Sequence, residues 1–240
     1  MDNKDFFKEL LSQAQKIEIE LNEEQIDIFY RYKQLLIEWN KKMNLTAITE
    51  TKDIILKHFI DSLTIMKYIK ENQKVIDVGT GAGFPGLPLK IANPTLNIVL
   101  IDSLNKRINF LNEVINQNNL KNIKAIHNRI EQTAREEQYR EGFDIVTSRA
   151  VANLAVLAEY MLPFAKIGGK CICMKGSEIE EELENSKNAI KLLGGKIIKI
   201  DSFELPQDNI KRNIIIIEKE KNTPNKYPRK PGTPSKEPLK

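Results

Sequence analysis

The stretch Val75-Ile76-Asp77-Val78-Gly79-Thr80-Gly81-Ala82-Gly83-Phe84-Pro85-Gly86 decides how the rest of the chain is read. A short apolar strand runs into a glycine-dense turn, and Pro85 suits the first turn of a following helix. Glycines take φ > 0 and let the backbone approach a ligand, so strand, turn and helix together predict a nucleotide-cofactor loop. The acid two residues before the first glycine sorts the cofactors. A dinucleotide offers its pyrophosphate to bare amides, where a carboxylate is unhelpful. S-adenosylmethionine (SAM) has no phosphate and presents an ammonium and a sulfonium, so Asp77 and the spacing Gly79-x-Gly81-x-Gly83 favour it. A rival stands beside it. Gly81 to Gly86 also matches G-x-G-x-x-G, and Asp102 follows at the spacing of a ribose-binding acid, which would make an NAD-binding oxidoreductase or sensor.

Working outward, apolar strands alternate with helical stretches from residue 74 onward. Strands are predicted at 74–79, 97–102, 122–127, 143–148, 169–174, 196–204 and 212–219, with helices at about 85–92, 105–118, 130–139, 151–165 and 177–193. Only Leu205 to Lys211 joins the last two strands, too short for a parallel crossover, so they form a hairpin. The expectation is an α/β fold: a Rossmann-like, seven-stranded, mostly parallel sheet with a terminal antiparallel hairpin, the layout of class I SAM-dependent methyltransferases. Upstream, a helix is predicted over 5–16. A second opens at Asn22 with Gln25 at N3 and runs to about Trp39, and a third runs from Thr51 to about Lys70. Three segments follow: an N-terminal helical extension over 1–70, a SAM-binding domain over 71–220, and a basic, proline-rich tail over 221–240.

The tail is set apart by charge. The chain carries a net +4, yet residues 221–240 hold six Lys/Arg against one acid, and the other 220 residues net −1. Two readings fit the tail, a disordered solubility segment or an extended one that docks or orders on RNA. The regular prolines and Tyr227 favour the second, and deleting 221–240 is expected to weaken RNA binding and flatten its salt dependence. No apolar run approaches the ~20 residues of a membrane span, and the N-terminus lacks a signal-peptide layout. Cys171 and Cys173 alternate on one strand, too close for an easy disulfide and too few for a zinc site. A cytoplasmic protein without membrane or metal is expected.

In an open α/β sheet ligands sit beyond the carboxyl ends of the strands. Asp102 ends the second strand, placed either for both ribose hydroxyls or as the N-cap of the next helix. After the third strand, Ile130 and Glu131 suit an adenine face and its amine, or simply open a helix with an acid at its positive end. Arg149, between an apolar strand and an apolar helix, binds cofactor or substrate or pairs with a strand-end acid. Thr147-Ser148-Arg149 replaces the Pro-Pro-aromatic turn usual in amino-group methylases. The two cysteines lie inside a strand, away from a nucleophile's place. What remains is an acceptor needing neither deprotonation nor covalent activation. Purine N7 fits, with catalysis by alignment and exclusion of water and no general base.

Six stretches now resemble one family, the bacterial small-subunit ribosomal RNA methyltransferase G family, which methylates a guanine N7 in 16S rRNA. They are Trp39-Asn40-Lys41-Lys42-Met43-Asn44-Leu45-Thr46, His58-Phe59-Ile60-Asp61-Ser62-Leu63, Asp77 to Gly86, Asp102-Ser103-Leu104-Asn105-Lys106-Arg107, Thr147-Ser148-Arg149-Ala150, and Tyr227-Pro228-Arg229-Lys230-Pro231-Gly232-Thr233-Pro234. The resemblance implies SAM contacts at Gly79, Phe84, Asp102, Ser103, Leu104, Ile130, Glu131 and Arg149. The glycine loop adds Asp77 and Gly81. It also implies 16S rRNA, free or in the 30S subunit or its precursor, as partner; a monomer is expected. Expected RNA contacts are Lys41, Lys42, His58, Lys106, Arg107, Lys175, Arg212, Arg229 and Lys230. His58, Asp61 and Ser62 share one helical face, either as a polar group near the acceptor or as a His–Asp tie to the sheet. A non-catalytic RNA-binding assembly protein and a small-molecule methyltransferase are the further alternatives.

Overall fold

A computed structural model describes residues 2–149, 151–207 and 210–239. Ala150 of the fourth-strand motif, Asp208 and Asn209 of the hairpin connection, Met1 and Lys240 lie outside the described residues.

The N-terminal helices are set by their caps. Helix α1 (Asn3–Lys16) starts where the Asp2 carboxylate accepts from the Asp5 amide at 2.8 Å. Helix α2 (Glu23–Met43) opens on a reciprocal box: Asn22 accepts from the Gln25 amide and Gln25 accepts from the Asn22 amide, each at 2.9 Å. Two otherwise orphaned donors are satisfied together. Gln25 also donates to the carbonyls of Ile91 and Ala92, which ties the helix to the sheet layer. The helix passes its expected end at Trp39 and closes on Asn44, in the left-handed conformation at φ +49°. The single helix expected over 51–70 is instead broken into α3 (Thr51–Asp53), a π-helical turn (Ile54–Ile60), α4 (Asp61–Leu63) and a 3-10 turn (Met66–Tyr68).

From there strand and helix alternate as the apolar pattern predicts: β1 (Lys74–Val78), α5 (Gly86–Ala92), β2 (Asn97–Asp102), α6 (Asn105–Gln117), β3 (Ile123–His127), α7 (Ile130–Thr133), β4 (Phe143–Arg149), α8 (Leu154–Met161), β5 (Ala165–Lys175), α9 (Glu180–Leu192), β6 (Gly195–Glu204), β7 (Lys211–Lys219) and α10 (Thr233–Lys236). The sheet order is β3-β2-β1-β4-β5-β7-β6, with β1 to β5 parallel and β7 antiparallel to both neighbours. The expected seven-stranded class I layout is thus observed. Two helices are shorter than expected. Helix α7 ends at Thr133, and α8 starts only at Leu154, where the Asn153 side chain accepts from Val156 N and the Glu182 carboxylate accepts from Leu154 N.

Both faces of the sheet are covered, as the nearly continuous apolar strands require. One face packs α1, α2, the π turn, α5 and α6 into a single core that includes Phe6, Phe29, Tyr32, Phe59 and Phe110. The other packs α8, α9 and, from the tail, Tyr227. Cys171 and Cys173 share this second face, fully buried, and burial pushes the Cys173 thiol up to about 12. No helix among the described residues is long and apolar enough to cross a membrane.

Candidate cofactor cleft and basic rim

Strand β1 pairs with β2 on one side and β4 on the other, so its carboxyl end is where the order of strands switches. The loop that follows is tied down through its own amides. Gly79 and Thr80 N–H donate to Ile101 O, Gly81 N–H to the Asp102 carboxylate, Gly83 and Phe84 N–H to Thr80 O, and Gly86 N–H to Asp77. These are the donors with which a dinucleotide loop would hold a pyrophosphate, and here they are spent inside the protein. Two glycines are required by space. A Cβ on Gly79 would fall 2.7 Å from Val151 Cγ2, and one on Gly86 would meet Leu100 at 2.3 Å and the Asp77 carboxylate at 3.0 Å. Gly86 is what allows α5 to sit directly on β1 and β2.

Asp77 lies beneath the loop, fully buried, and does not line the cleft beyond it. Its Oδ2 accepts from Thr80 Oγ1 at 2.6 Å and Gly86 N at 2.9 Å. Its Oδ1 has no hydrogen-bond partner among the described residues. Burial pushes its carboxyl up to about 6, against the opposing pull of the Thr80 and Gly86 donors and of Arg149. A buried acceptor with spare capacity and a raised proton affinity suits a cationic ligand nearby.

Beyond the loop lies a cleft of about 360 Å³. Of the expected cofactor residues, Gly79, Asp102, Ser103, Ile130 and Glu131 line it. Asp102 Oδ1 accepts from Leu104 N at 2.9 Å, and Oδ2 accepts from Gly81 N at 3.0 Å and Arg107 Nη1 at 3.1 Å. A carboxylate has about four acceptor positions, so one remains, and a second opens if Arg107 swings away. Gly81 reaches the cleft only through its tie to Asp102, and the Leu104 side chain points outward, 42% exposed. Phe84 and Arg149 stand apart from the cleft, on the α2 side of the loop. Phe84 is stacked between Tyr32 and His58, at centroid distances of 5.6 and 4.4 Å, with the Arg149 guanidinium 4.9 Å above its ring. The cleft also takes Arg129, Val151, Tyr160, Gly232 and Ser235, none of them among the expected cofactor residues, although Gly232 lies in one of the family-like stretches. A larger cleft, about 890 Å³, lies between α8, α9 and the chain end, but it is lined by Glu181, Glu182 and Glu184 and touches no β1 or β2 end.

Arg149 settles what joins His58 to Asp61. Its Nη1 donates to Asp61 Oδ2 at 3.1 Å and to Lys57 O at 3.0 Å, and Nη2 lies 3.2 Å from His58 Nδ1. Guanidinium only donates, so toward Arg149 the Nδ1 atom accepts; the same atom lies 3.2 Å from Lys57 O, and Nε2 faces Thr46 Oγ1 at 2.8 Å. Burial first, and Arg149 second, lower the His58 pKa to about 3, so the ring is neutral. The direct His–Asp tie is therefore replaced by an Arg149 bridge, and Asp61 takes a second guanidinium, Arg212 Nε, at 3.0 Å.

The expected RNA contacts divide sharply. Lys41, Lys42, Lys106 and Lys230 are exposed, and Lys106 reaches back to Met43 O at 3.5 Å, bringing the start of α6 to the end of α2. The other Lys and Arg are held by carboxylates. Arg107 bonds Asp102, Lys175 bonds Glu182 and Ala152 O, Arg212 bonds Asp61, and Arg229 is clamped by Glu159. His58 is buried. Residues 223–239 fold back on the sheet layer. The signal for this was the charged Glu159 inside the apolar run Leu154–Met161, which needed a partner.

Known proteins align with this geometry throughout. A family model described as GidB, rRNA small subunit methyltransferase G, matches residues 25–214. Curated relatives named ribosomal RNA small subunit methyltransferase G include one from Acetivibrio thermocellus, 55% identical over 97% of this chain and 96% of its own. Another, from Alkaliphilus oremlandii, is 52% identical over the whole of both. Solved structures share the fold at low identity. A putative methyltransferase from Bacillus halodurans gives a TM-score of 0.52 at 15% identity over 67% of this chain and 99% of that one. TYW2 of M. jannaschii in complex with AdoMet gives 0.52 at 19%, over 67% and 76%. A sheet of this order, a loop with its amides turned inward and half-identical relatives of equal length lead to one conclusion: the chain belongs to the rRNA small subunit methyltransferase G family.

Proposed function

We infer that this protein transfers the methyl group of SAM to N7 of a guanine in 16S rRNA, free or within the 30S subunit or its precursor, as a cytoplasmic monomer. The observation that carries the cofactor reading is the loop itself. Its amides are internally bonded, leaving few donors for a pyrophosphate, while Asp77 lies buried beneath it and Asp102 and Glu131 line the cleft beside Arg107 and Arg129, which favours a phosphate-free ligand over NAD.

Asp102 is suited to the ribose hydroxyls, with Arg107 yielding its place. Ile130 and Glu131 suit the adenine face and its exocyclic amine, with Ser103 and Leu104 at the rim. Gly79 and Gly81 keep backbone close to the amino-acid end, above the spare Asp77 oxygen. Phe84 and Arg149 brace the loop from behind, which is positioning rather than contact. When bound, the cofactor supplies a methyl group on a cationic sulfur.

The acceptor N7 already carries an in-plane lone pair and needs no base. Attack on the methyl carbon forms an N–C bond as the C–S bond breaks, and the positive charge moves from sulfur to the purine. The chain's part is to hold the line of approach and exclude water. The exposed Lys41, Lys42, Lys106 and Lys230 are suited to phosphates around the mouth.

N7-methylation leaves a chemical mark that tests the reading. A cationic 7-methylguanine is reduced by borohydride, and aniline then cleaves the strand at that nucleotide. 16S rRNA from cells lacking this gene should become cleavable at one guanine only after incubation with protein and SAM. Incorporation of methyl groups without new cleavage would exclude N7.

A further inference from the structure

Residues 223–239 are held against the body of the protein by groups the methyl-transfer reading does not use. Arg140 donates to Tyr227 O at 3.0 Å and Thr223 O at 2.8 Å, and Arg135 donates to Lys226 O at 3.0 Å. Tyr227 is buried in the second core. Arg229 then closes on Glu159. Its backbone N and Nε donate to Oε1 at 2.7 and 3.0 Å, and Nε and Nη2 to Oε2 at 3.1 and 2.7 Å. Glu159 is fully buried on α8, and among the described residues Arg229 makes all of its hydrogen bonds. An uncompensated carboxylate there would be costly, so Glu159 presupposes a docked tail.

Past this clamp the chain reaches the cleft. Gly232, at φ +84°, turns it into α10 and donates its N–H to Glu131 Oε1 at 2.9 Å. Ser235 Oγ meets Tyr160 Oη at 2.8 Å. Glu131, Tyr160, Gly232 and Ser235 all line the same cleft as Asp102 and Ser103. We propose that residues 229–235 form a strap that completes the cofactor cleft, with Arg229–Glu159 as its latch and Gly232 and Ser235 as its inner edge. This rests on the SAM reading of the cleft and extends it to the tail. Gly232 fixes the Glu131 carboxylate beside Ile130, where the base edge would be read, and the Ser235–Tyr160 pair lines the same cleft. Lys230 on the strap, and Lys226 and Lys236 flanking it, are exposed and do not line the cleft. One segment would thus touch cofactor on its inner side and phosphate on its outer side.

The test combines variants of the full chain with proteolysis of the wild type. Arg229→Ala should weaken SAM binding at least tenfold by calorimetry and raise the KM for SAM. Arg229→Lys should recover part of the loss, since it keeps the charge without the fork. Ser235→Ala, which leaves the latch intact, should weaken SAM binding severalfold. In the wild type, saturating SAM should slow tryptic cleavage after Lys226 and Lys236 at least tenfold. If Arg229→Ala does not fold, the Ser235→Ala affinity and the wild-type protection decide. SAM affinity within twofold of wild type in the folded variants, or unchanged cleavage in a wild type that binds SAM, overturns the strap alone. A wild type that binds no SAM overturns the cleft reading and the strap with it.

Discussion

Asp77 and His58 are both buried near the cofactor loop, and burial moves their proton affinities in opposite directions. The Asp77 carboxyl is raised to about 6, so its ionised form is disfavoured in the fold. Its contribution to stability is therefore lost as pH rises from about 4 through about 6, and stays lost above. His58, lowered to about 3, costs stability as pH falls from its ordinary 6.5 toward 3, because the unfolded ring takes up a proton that the folded one refuses. Asp77→Asn should make the ligand-free protein more stable at pH 8, by roughly 1–3 kcal/mol on linkage grounds, with no gain near pH 4. The same variant should bind SAM at least tenfold more weakly at pH 8. Urea unfolding at the two pH values and calorimetry check both, and equal stability at pH 8 would contradict the buried charge. The presence of Asp77 beside the glycines was legible in the sequence. That it serves from beneath the loop was not, because Thr80 and Gly86 reach it only through the three-dimensional turn.

Among the elements, the π turn at Ile54–Ile60 departs furthest from what the sequence predicts. Ile54, Ile55, Phe59 and Ile60 are buried and read as one helix by their apolar spacing, and that spacing carries no mark of a local widening. The turn nevertheless sets the ring of His58 on Phe84 and aims Asp61 at two guanidiniums. Asp61 is 3% exposed, whereas Arg149 and Arg212 keep some solvent, so removing the carboxylate strands two partly buried charges. Asp61→Ala should cost about 3 kcal/mol of stability, at the low end for a broken buried pair. A loss below about 1 kcal/mol in urea titrations would show that Arg149 finds another partner. The strands and the closing hairpin were readable because parallel strands buried on both faces are continuous apolar runs bounded by turn residues. Helix ends were less so: α8 waits for Asn153 and Glu182 to cap it, a contact that crosses to another helix.

For the whole molecule, the unbalanced charge of residues 221–240 was plain in the sequence, and its disposition was not. Arg229 is taken by Glu159, 70 residues away, while Arg135 and Arg140 spend their guanidiniums on tail carbonyls. Exposed lysines among the expected RNA contacts and in the tail include Lys41, Lys42 and Lys106, at one edge, and Lys226, Lys230 and Lys236. Replacing Lys41, Lys42 and Lys106 by Gln should flatten the salt dependence of RNA binding by roughly 0.7–0.9 per phosphate contact removed, leaving SAM affinity unchanged. An unchanged slope would move the RNA to another face. The central claim is tested most directly by transfer of labelled methyl from SAM to 30S subunits and to naked 16S rRNA, both from cells lacking this gene, with the product nucleoside identified. The account predicts 7-methylguanosine at a single site in at least one of these substrates. SAM binding with no incorporation into either, or label on any other nucleoside, would contradict it.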